Sequence, residues 1–159
     1  MQCSSKKKGM SLIEVIVASA IISLSMISTS MVYGNMVALS TENTAKVQAI
    51  FLLDEGVEAV KSMRGDSWSN IASTTPGTMY YFLWSNNKWN ATTTQSVIDG
   101  IFTRTFSVSP VYRDVDLNIS TTPGTDDPGT KQVDITVSWK DRTGTSTRST
   151  SMYIFNLYE

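Results

Sequence analysis

Lys6-Lys7-Lys8-Gly9-Met10-Ser11-Leu12-Ile13-Glu14-Val15 opens an apolar run that continues to about Val32. Three lysines stop at a glycine, and the hydrophobic segment starts on the next residue. Between Met10 and Val32 the one formally charged side chain is Glu14. As a helix this stretch would measure about 35 Å, enough to cross a hydrocarbon core of about 30 Å. The lysines on its N-terminal side orient such a span with the N-terminus in the cytoplasm and the rest of the chain outside. A charge inside a membrane-length apolar run is expensive, which makes Glu14 a functional residue by default.

Two simpler readings compete for this segment. A secretory signal would use Lys6–Lys8 as its basic region, Leu12–Val17 as its apolar region and Ala18-Ser19-Ala20 as its cleavage site. Glu14 would interrupt that short apolar region, however, and the run continues for about twelve residues past the cut. An uncleaved signal anchor would leave Glu14 without a role. Both readings are disfavoured on these grounds.

The string Gly9-Met10-Ser11-Leu12-Ile13-Glu14-Val15 resembles the class III signal of type IV pilins and pseudopilins. Precursors of that family carry a short basic leader ending in glycine, are cut directly after it, and have a glutamate at the fifth mature position. The resemblance implies that Lys6, Lys7 and Lys8 are the leader charge and that prepilin peptidase cleaves Gly9–Met10. It implies too that Met10 becomes the N-methylated first residue, although phenylalanine is usual there. Glu14 would then be the assembly residue, facing the N-terminal amine of a neighbouring subunit in a helix bundle. Pairing would recover part of what an isolated carboxylate loses in lipid, and so favour extraction into the filament.

Implied partners are other pilin or pseudopilin subunits, prepilin peptidase, an inner-membrane assembly platform, and membrane lipid before assembly. The implied location is the cytoplasmic membrane, single pass, and then an extracytoplasmic filament. Within the family, a minor subunit fits best. Major subunits typically have an alanine- and isoleucine-rich run with a proline in the apolar helix. Here Ser19, Ser23, Ser25, Ser28, Thr29 and Ser30 occupy the run, and the first proline is Pro76. Gly34 is the candidate to replace that proline as a soft point.

Composition narrows the classes further. Without the first nine residues the chain keeps 10 basic and 14 acidic side chains, a net charge of −4. No basic stripe remains, so nucleic-acid binding has no electrostatic support. The chain has no histidine, and its single cysteine, Cys3, lies in the leader. The commonest general base and the commonest zinc ligand are thus both missing. No serine, cysteine or lysine has a recognisable base partner, so an enzyme is not expected, and no cofactor is expected either.

Three segments follow: a leader at 1–9, a long helix at 10–64 whose 10–32 part is transmembrane, and a β-rich globular domain at 65–159. In the second part of the helix, Val47, Ile50, Phe51, Val57, Val60 and Met63 fall near one face. A helix from Met10 to Arg64 would run about 80 Å, with Gly34-Asn35 its weak spot. Thr78–Trp84 reads as a strand, Ser85-Asn86-Asn87 as a tight turn, and Lys88–Ala91 as the returning strand. Ile101–Tyr112 alternates, with Phe102, Phe106, Val108 and Tyr112 on one side. Val115–Ile119 is expected as a short strand or a continuation of it, and Thr121–Thr130 as a loop. Lys131–Lys140 alternates cleanly through Val133, Ile135, Val137 and Trp139, and Arg148–Tyr158 is expected to be the last strand. The fold class expected is α+β: a long N-terminal helix, transmembrane then amphipathic, packed on a small antiparallel sheet.

Two further features could carry function. Asp126 and Asp127 are candidate oxygen ligands for calcium, but adjacent aspartates lack the spacing of a dedicated site. The sequence Asp-Pro-Gly is good turn chemistry, and a solvated turn is the favoured reading. Trp68, Tyr80, Tyr81, Trp84 and Trp89 form an aromatic-rich stretch, which is core in most small domains and a glycan or peptide surface in some. That surface defines the competing function class, a signal-anchored extracytoplasmic binding module.

Overall fold

The computed structural model describes residues 9, 11–120, 124–142 and 144–157. Cys3, Lys6, Lys7, Lys8 and Met10 lie outside the described residues, as do the start of the expected loop at 121–123 and Tyr158. The chain divides into two compact units, Met1–Thr44 and Ala45–Glu159. The first helix, α1 (Leu12–Asp66), contributes to both.

In the first unit α1 is apolar on all sides. Ile21, Ile22, Leu24, Met26 and Ile27 are all more than half exposed. An 18-residue window of α1 has a mean hydropathy of 2.1 with none of it buried, so α1 is long and apolar enough to cross a membrane. Its hydroxyls do not spoil that property. Ser23, Ser25, Ser28, Thr29 and Ser30 each donate to the carbonyl four residues back at 2.8–2.9 Å, and Ser19 donates to the Ile16 carbonyl at 2.9 Å. Donors satisfied inside the helix need no water. Helical structure continues through Gly34-Asn35 without a break.

The second unit sets the C-terminal part of α1 on an antiparallel sheet. A short helix α2 (Ser69–Ala72) follows, then β1 (Tyr80–Ser85), β2 (Lys88–Thr92), β3 (Val97–Ile98), β4 (Phe102–Arg113), β5 (Ile119–Ser120), β6 (Thr125–Lys140) and β7 (Thr145–Phe155). The main path is β2-β1-β4-β6-β7, with β3 and β5 pairing on β4. Asn86 and Asn87 both have positive φ, 53° and 58°, the geometry of a type I′ turn whose twist matches the strands it joins.

The core lies between helix and sheet. Phe102, Phe106, Val108, Val133, Ile135, Val137, Trp139 and Ile154 are buried from the sheet side. From the helix side the buried residues are Ala49, Leu53, Gly56, Ala59, Val60 and Met63. The helix face therefore differs from the one expected. Val60 and Met63 are buried, but Val47, Ile50 and Phe51 are 51%, 48% and 68% exposed. Small residues win because the backbone comes close to the sheet: a Cβ on Gly56 would sit 3.0 Å from Ile135 Cγ2 and 3.4 Å from Arg104 Cδ.

Arg104 completes that contact. Its side chain is 4% exposed and lies on the apolar face of β4 between Phe102 and Phe106. The guanidinium reaches the Leu52 carbonyl at 3.0 Å and Glu55 Oε2 at 2.9 Å. It also stacks over Phe82 and Trp89, 4.9 and 5.4 Å from their ring centres. A buried cation is tolerable only with partners of this kind, so Arg104 fixes helix against sheet by charge, hydrogen bond and cation–π contact together.

Two strand expectations change. The register of β4 against β6 jumps from Pro110↔Lys131 to Val111↔Asp127, leaving three extra residues on β6. This bulge reverses the alternation: Val111 is buried at 3%, and Tyr112 turns out at 37%. The stretch expected as a loop at Thr121–Thr130 is strand from Thr125 onward, pairing with Arg113, Tyr112 and Val111. Val115–Leu117 is a turn rather than a strand, closed by Leu117 N–H donating to the Asp114 carbonyl at 3.1 Å. Only Ile119–Ser120 of that stretch is β.

Candidate functional site

The start of α1 holds the described members of the motif. Ser11 immediately precedes the helix, and its carbonyl accepts the N–H groups of Glu14 and Val15 at 3.0 and 3.2 Å. Glu14 is thus the third helical residue. The first-turn backbone N–H groups point towards the N-terminus, those of Leu12 and Ile13 without an intrahelical acceptor, so a carboxylate is favoured by about 0.3–1 kcal/mol at an exposed end. Local structure alone accounts for a glutamate here to that extent. It does not offset the cost of a carboxylate within the bilayer, which is several times larger.

Gly9 and Glu14 are both exposed, and no tertiary contact brings them together. A peptide bond next to an exposed glycine outside the helix is accessible to a protease that reads a linear sequence. Glu14, exposed in the single chain, is open to a cation supplied by another molecule.

The two aspartates go different ways. Asp127 Oδ2 accepts from Arg113 Nε at 2.6 Å and from the Thr130 hydroxyl at 2.7 Å, and Oδ1 accepts the Gly129 N–H at 3.1 Å. The Thr130 hydroxyl bond and then the Arg113 bond hold its carboxyl below the usual carboxylate range. Its partners are Gly129 and Thr130 of the bulge and Arg113 of the facing strand, so it works as the clip that closes Pro128-Gly129 against β4. Asp126 pairs with Tyr112 in the strand register and is exposed. Among the described residues no group of three or more His, Cys, Asp or Glu could hold a metal ion.

The aromatic stretch divides as well. Trp68, Tyr80 and Trp89 pack against the core, and Trp84 alone of the tryptophans stands out, 56% exposed with its ring 5.2 Å from that of Trp89. Arg104, which no pattern of apolar residues marks, was the residue missed; its position two residues from Phe102 and Phe106 on an alternating strand was the available signal.

A sequence pattern described as the prokaryotic N-terminal methylation motif matches residues 4–30. The chain carries a prokaryotic N-terminal methylation motif. This is the class III signal of type IV pilins and pseudopilins, and it supports a type IV pilin-like subunit processed by prepilin peptidase and assembled with other such subunits. It points to a structural protein rather than an enzyme, and with the long apolar helix it fits anchoring in a membrane. The α+β fold matches the expectation, a long N-terminal helix packed on a seven-stranded antiparallel sheet. No curated protein and no solved structure matches the chain significantly.

Proposed function

We propose that this chain is a minor subunit of a type IV pilus or of a type II secretion-like pseudopilus. Lys6, Lys7 and Lys8 hold the N-terminus in the cytoplasm, prepilin peptidase cuts between Gly9 and Met10, and Met10 is methylated as the new first residue. The 10–32 part of the helix then spans the membrane with the globular domain outside, until the assembly platform moves the subunit into the filament. The observation that carries this reading is the methylation motif laid over the start of a helix whose 18-residue apolar window has no buried residue. A helix apolar on every side is stable only inside lipid or among other apolar helices, and a filament core offers the second of these.

Glu14 gives the exchange its direction. In lipid it is an unpaired carboxylate, and in a bundle of staggered helices it meets the N-terminal amine of the next subunit. The serine-rich span and the absence of a helix proline favour a minor subunit, one that starts or caps filaments. The competing reading, an anchored module that binds glycan or peptide through aromatics, is left with Trp84 as its exposed ring.

The variant Glu14→Gln tests the assignment. Membrane insertion and leader removal should be unchanged, since neither needs the charge, while the amount of subunit recovered in sheared filaments should fall on the order of tenfold or more. Recovery equal to that of the parent chain would contradict it.

A further inference from the structure

Two asparagines stand in the order Asn-Xaa-Ser/Thr: Asn90-Ala91-Thr92 and Asn118-Ile119-Ser120. That order marks asparagines able to take an N-linked glycan in chains exported across a membrane. The form read by many bacterial oligosaccharyltransferases adds an acidic residue two places earlier, whose carboxylate pairs with a cation of the transferase. Asp116 stands there in Asp116-Leu117-Asn118-Ile119-Ser120, whereas Lys88 holds that place before Asn90.

The fold separates the two in the same direction. Asn90 lies inside β2, which pairs along its length with β1. Its amide nitrogen, the atom that would carry the sugar, donates to the Ser85 carbonyl at 3.3 Å, the Ser85 hydroxyl at 3.1 Å and the Lys88 carbonyl at 3.1 Å. The Thr92 hydroxyl accepts the Thr94 N–H at 3.1 Å, and Ala91 between them packs against the core. Resonance keeps an amide nitrogen unreactive until its carboxamide is twisted, and bonds of this kind oppose the twist.

Asn118 is the reverse. It is exposed, and its side chain makes no hydrogen bond among the described residues. Only its backbone is engaged: the N–H donates to Asp114 Oδ1 at 2.9 Å, and the carbonyl accepts the Asp114 N–H at 3.0 Å. The turn around it stands clear of the fold, with Val115 99% and Leu117 72% exposed. Ile119 and Ser120 form β5, a two-residue strand paired with Arg113 and Tyr112 of β4. So short a strand opens at little cost. Leu117 has a φ of 65°, in the left-handed region that leucine avoids, so opening the turn also relieves strain. None of Asp116–Ser120 belongs to the buried core, and a transferase can draw in the whole string without disturbing it.

We propose that Asn118 is an N-glycosylation site, with Asp116 and Ser120 as the residues by which the transferase recognises it. The substrate is an oligosaccharide carried on a polyprenyl diphosphate in the membrane. Asn118 Nδ2 attacks the anomeric carbon, the bond from that carbon to the diphosphate oxygen breaks, and the N–C bond forms. The polyprenyl diphosphate leaves with the electron pair, and one Nδ2 proton passes to a base. The modification rests on the globular unit lying outside the cytoplasm, as proposed above.

The test is mass spectrometry of the full chain purified from the membranes or filaments of its native cells. Trypsin isolates the site: cleavage after Arg113 and Lys131 gives a peptide, 114–131, in which Asn118 is the sole asparagine. Electron-transfer fragmentation, which leaves glycans attached, should place a mass increment of sugar residues on Asn118, while peptide 89–104, which holds Asn90, stays unmodified. Asn118→Gln and Ser120→Ala should abolish the increment, Ser120→Thr should keep it, and Asp116→Asn should lower its occupancy about tenfold or more. Asn118→Gln and Asp116→Asn alter exposed side chains without hydrogen bonds among the described residues, so both chains should accumulate as the parent does. An unmodified Asn118, an increment on a serine or threonine instead, or full occupancy in Asp116→Asn would overturn the proposal. Protease added to wall-stripped cells tells the failures apart. An accessible globular unit with an unmodified peptide overturns the glycan alone; a protected one overturns the location, and the glycan with it.

Discussion

The two parts of α1 obey opposite packing rules. Up to Thr44 the large apolar side chains point outward in every direction and nothing in the hydropathic window is buried. From Ala45 onward half of the buried positions are small, Ala49, Gly56 and Ala59 beside Leu53, Val60 and Met63, while Val47, Ile50 and Phe51 remain outside. The difference lies in what each part has to meet. A surface apolar on all sides suits lipid or other apolar helices, which demand no single face. A sheet demands one face at close range, and close approach selects residues by size before hydrophobicity.

The glycines of the two parts separate these packing rules most clearly. Gly56→Leu places a branched side chain where even a Cβ would stand 3.0 Å from Ile135, itself fully buried. Overpacking there should cost about 3 kcal/mol or more, read as a lowered unfolding midpoint of the detergent-solubilised chain. A tolerated leucine would mean that helix and sheet are not held at this distance. Next in size is Asp127→Asn, which removes the charge closing the β6 bulge and should cost about 1–2 kcal/mol near neutral pH. Because the folded carboxyl has a lowered pKa, its contribution is present above the unfolded value near 4 and is lost as the pH falls through the folded value. The deficit of Asp127→Asn should accordingly shrink in denaturation series run below about pH 4, and a deficit independent of pH would show that the charge is not what matters. Smallest is Gly34→Ala. Nothing stands within 4 Å of a Cβ there, so alanine should strengthen the helix by about 0.5–1 kcal/mol. If Gly34 serves as the soft point in place of a helix proline, the same change should also reduce filament yield. A Gly34→Ala chain that loses stability would show that this open position is in contact after all.

Sequence reading reached the parts of the fold governed by simple periods. Strand β6 from Val133 to Lys140 alternates without exception, and the Asn86-Asn87 turn announces itself through residues that tolerate positive φ. It failed where one interaction overrode the period. Of two prolines, Pro110 borders and Pro128 lies within the bulge that exchanges Val111 for Tyr112 in the core, and a proline inside a strand is itself the sign of such a break. Asp-Pro-Gly was legible as a local turn, but the turn lies inside a strand pairing that only the register reveals. The packing face of α1 was misread because hydrophobicity ranks Phe51 above Ala49, whereas close contact with the sheet ranks them the other way. Arg104 escaped notice because a charged residue on an apolar face reads as an interruption until its partners, the Leu52 carbonyl, Glu55, Phe82 and Trp89, are known.

The motif at the start of α1 was the reverse case, legible in sequence and almost silent in structure. Its information is linear, intended for a peptidase and for neighbouring subunits, and a single folded chain shows only that Gly9 and Glu14 are exposed and unoccupied by tertiary contacts. If the lysine–glycine–glutamate string is a cut site followed by an assembly charge, processing must leave its mark on the mature chain. Intact mass and N-terminal fragment spectra of the chain purified from its native membranes or filaments test it directly. A mature chain beginning at N-methylated Met10 is the predicted result; a chain beginning at Met1, Ser19 or Ile21 would contradict it.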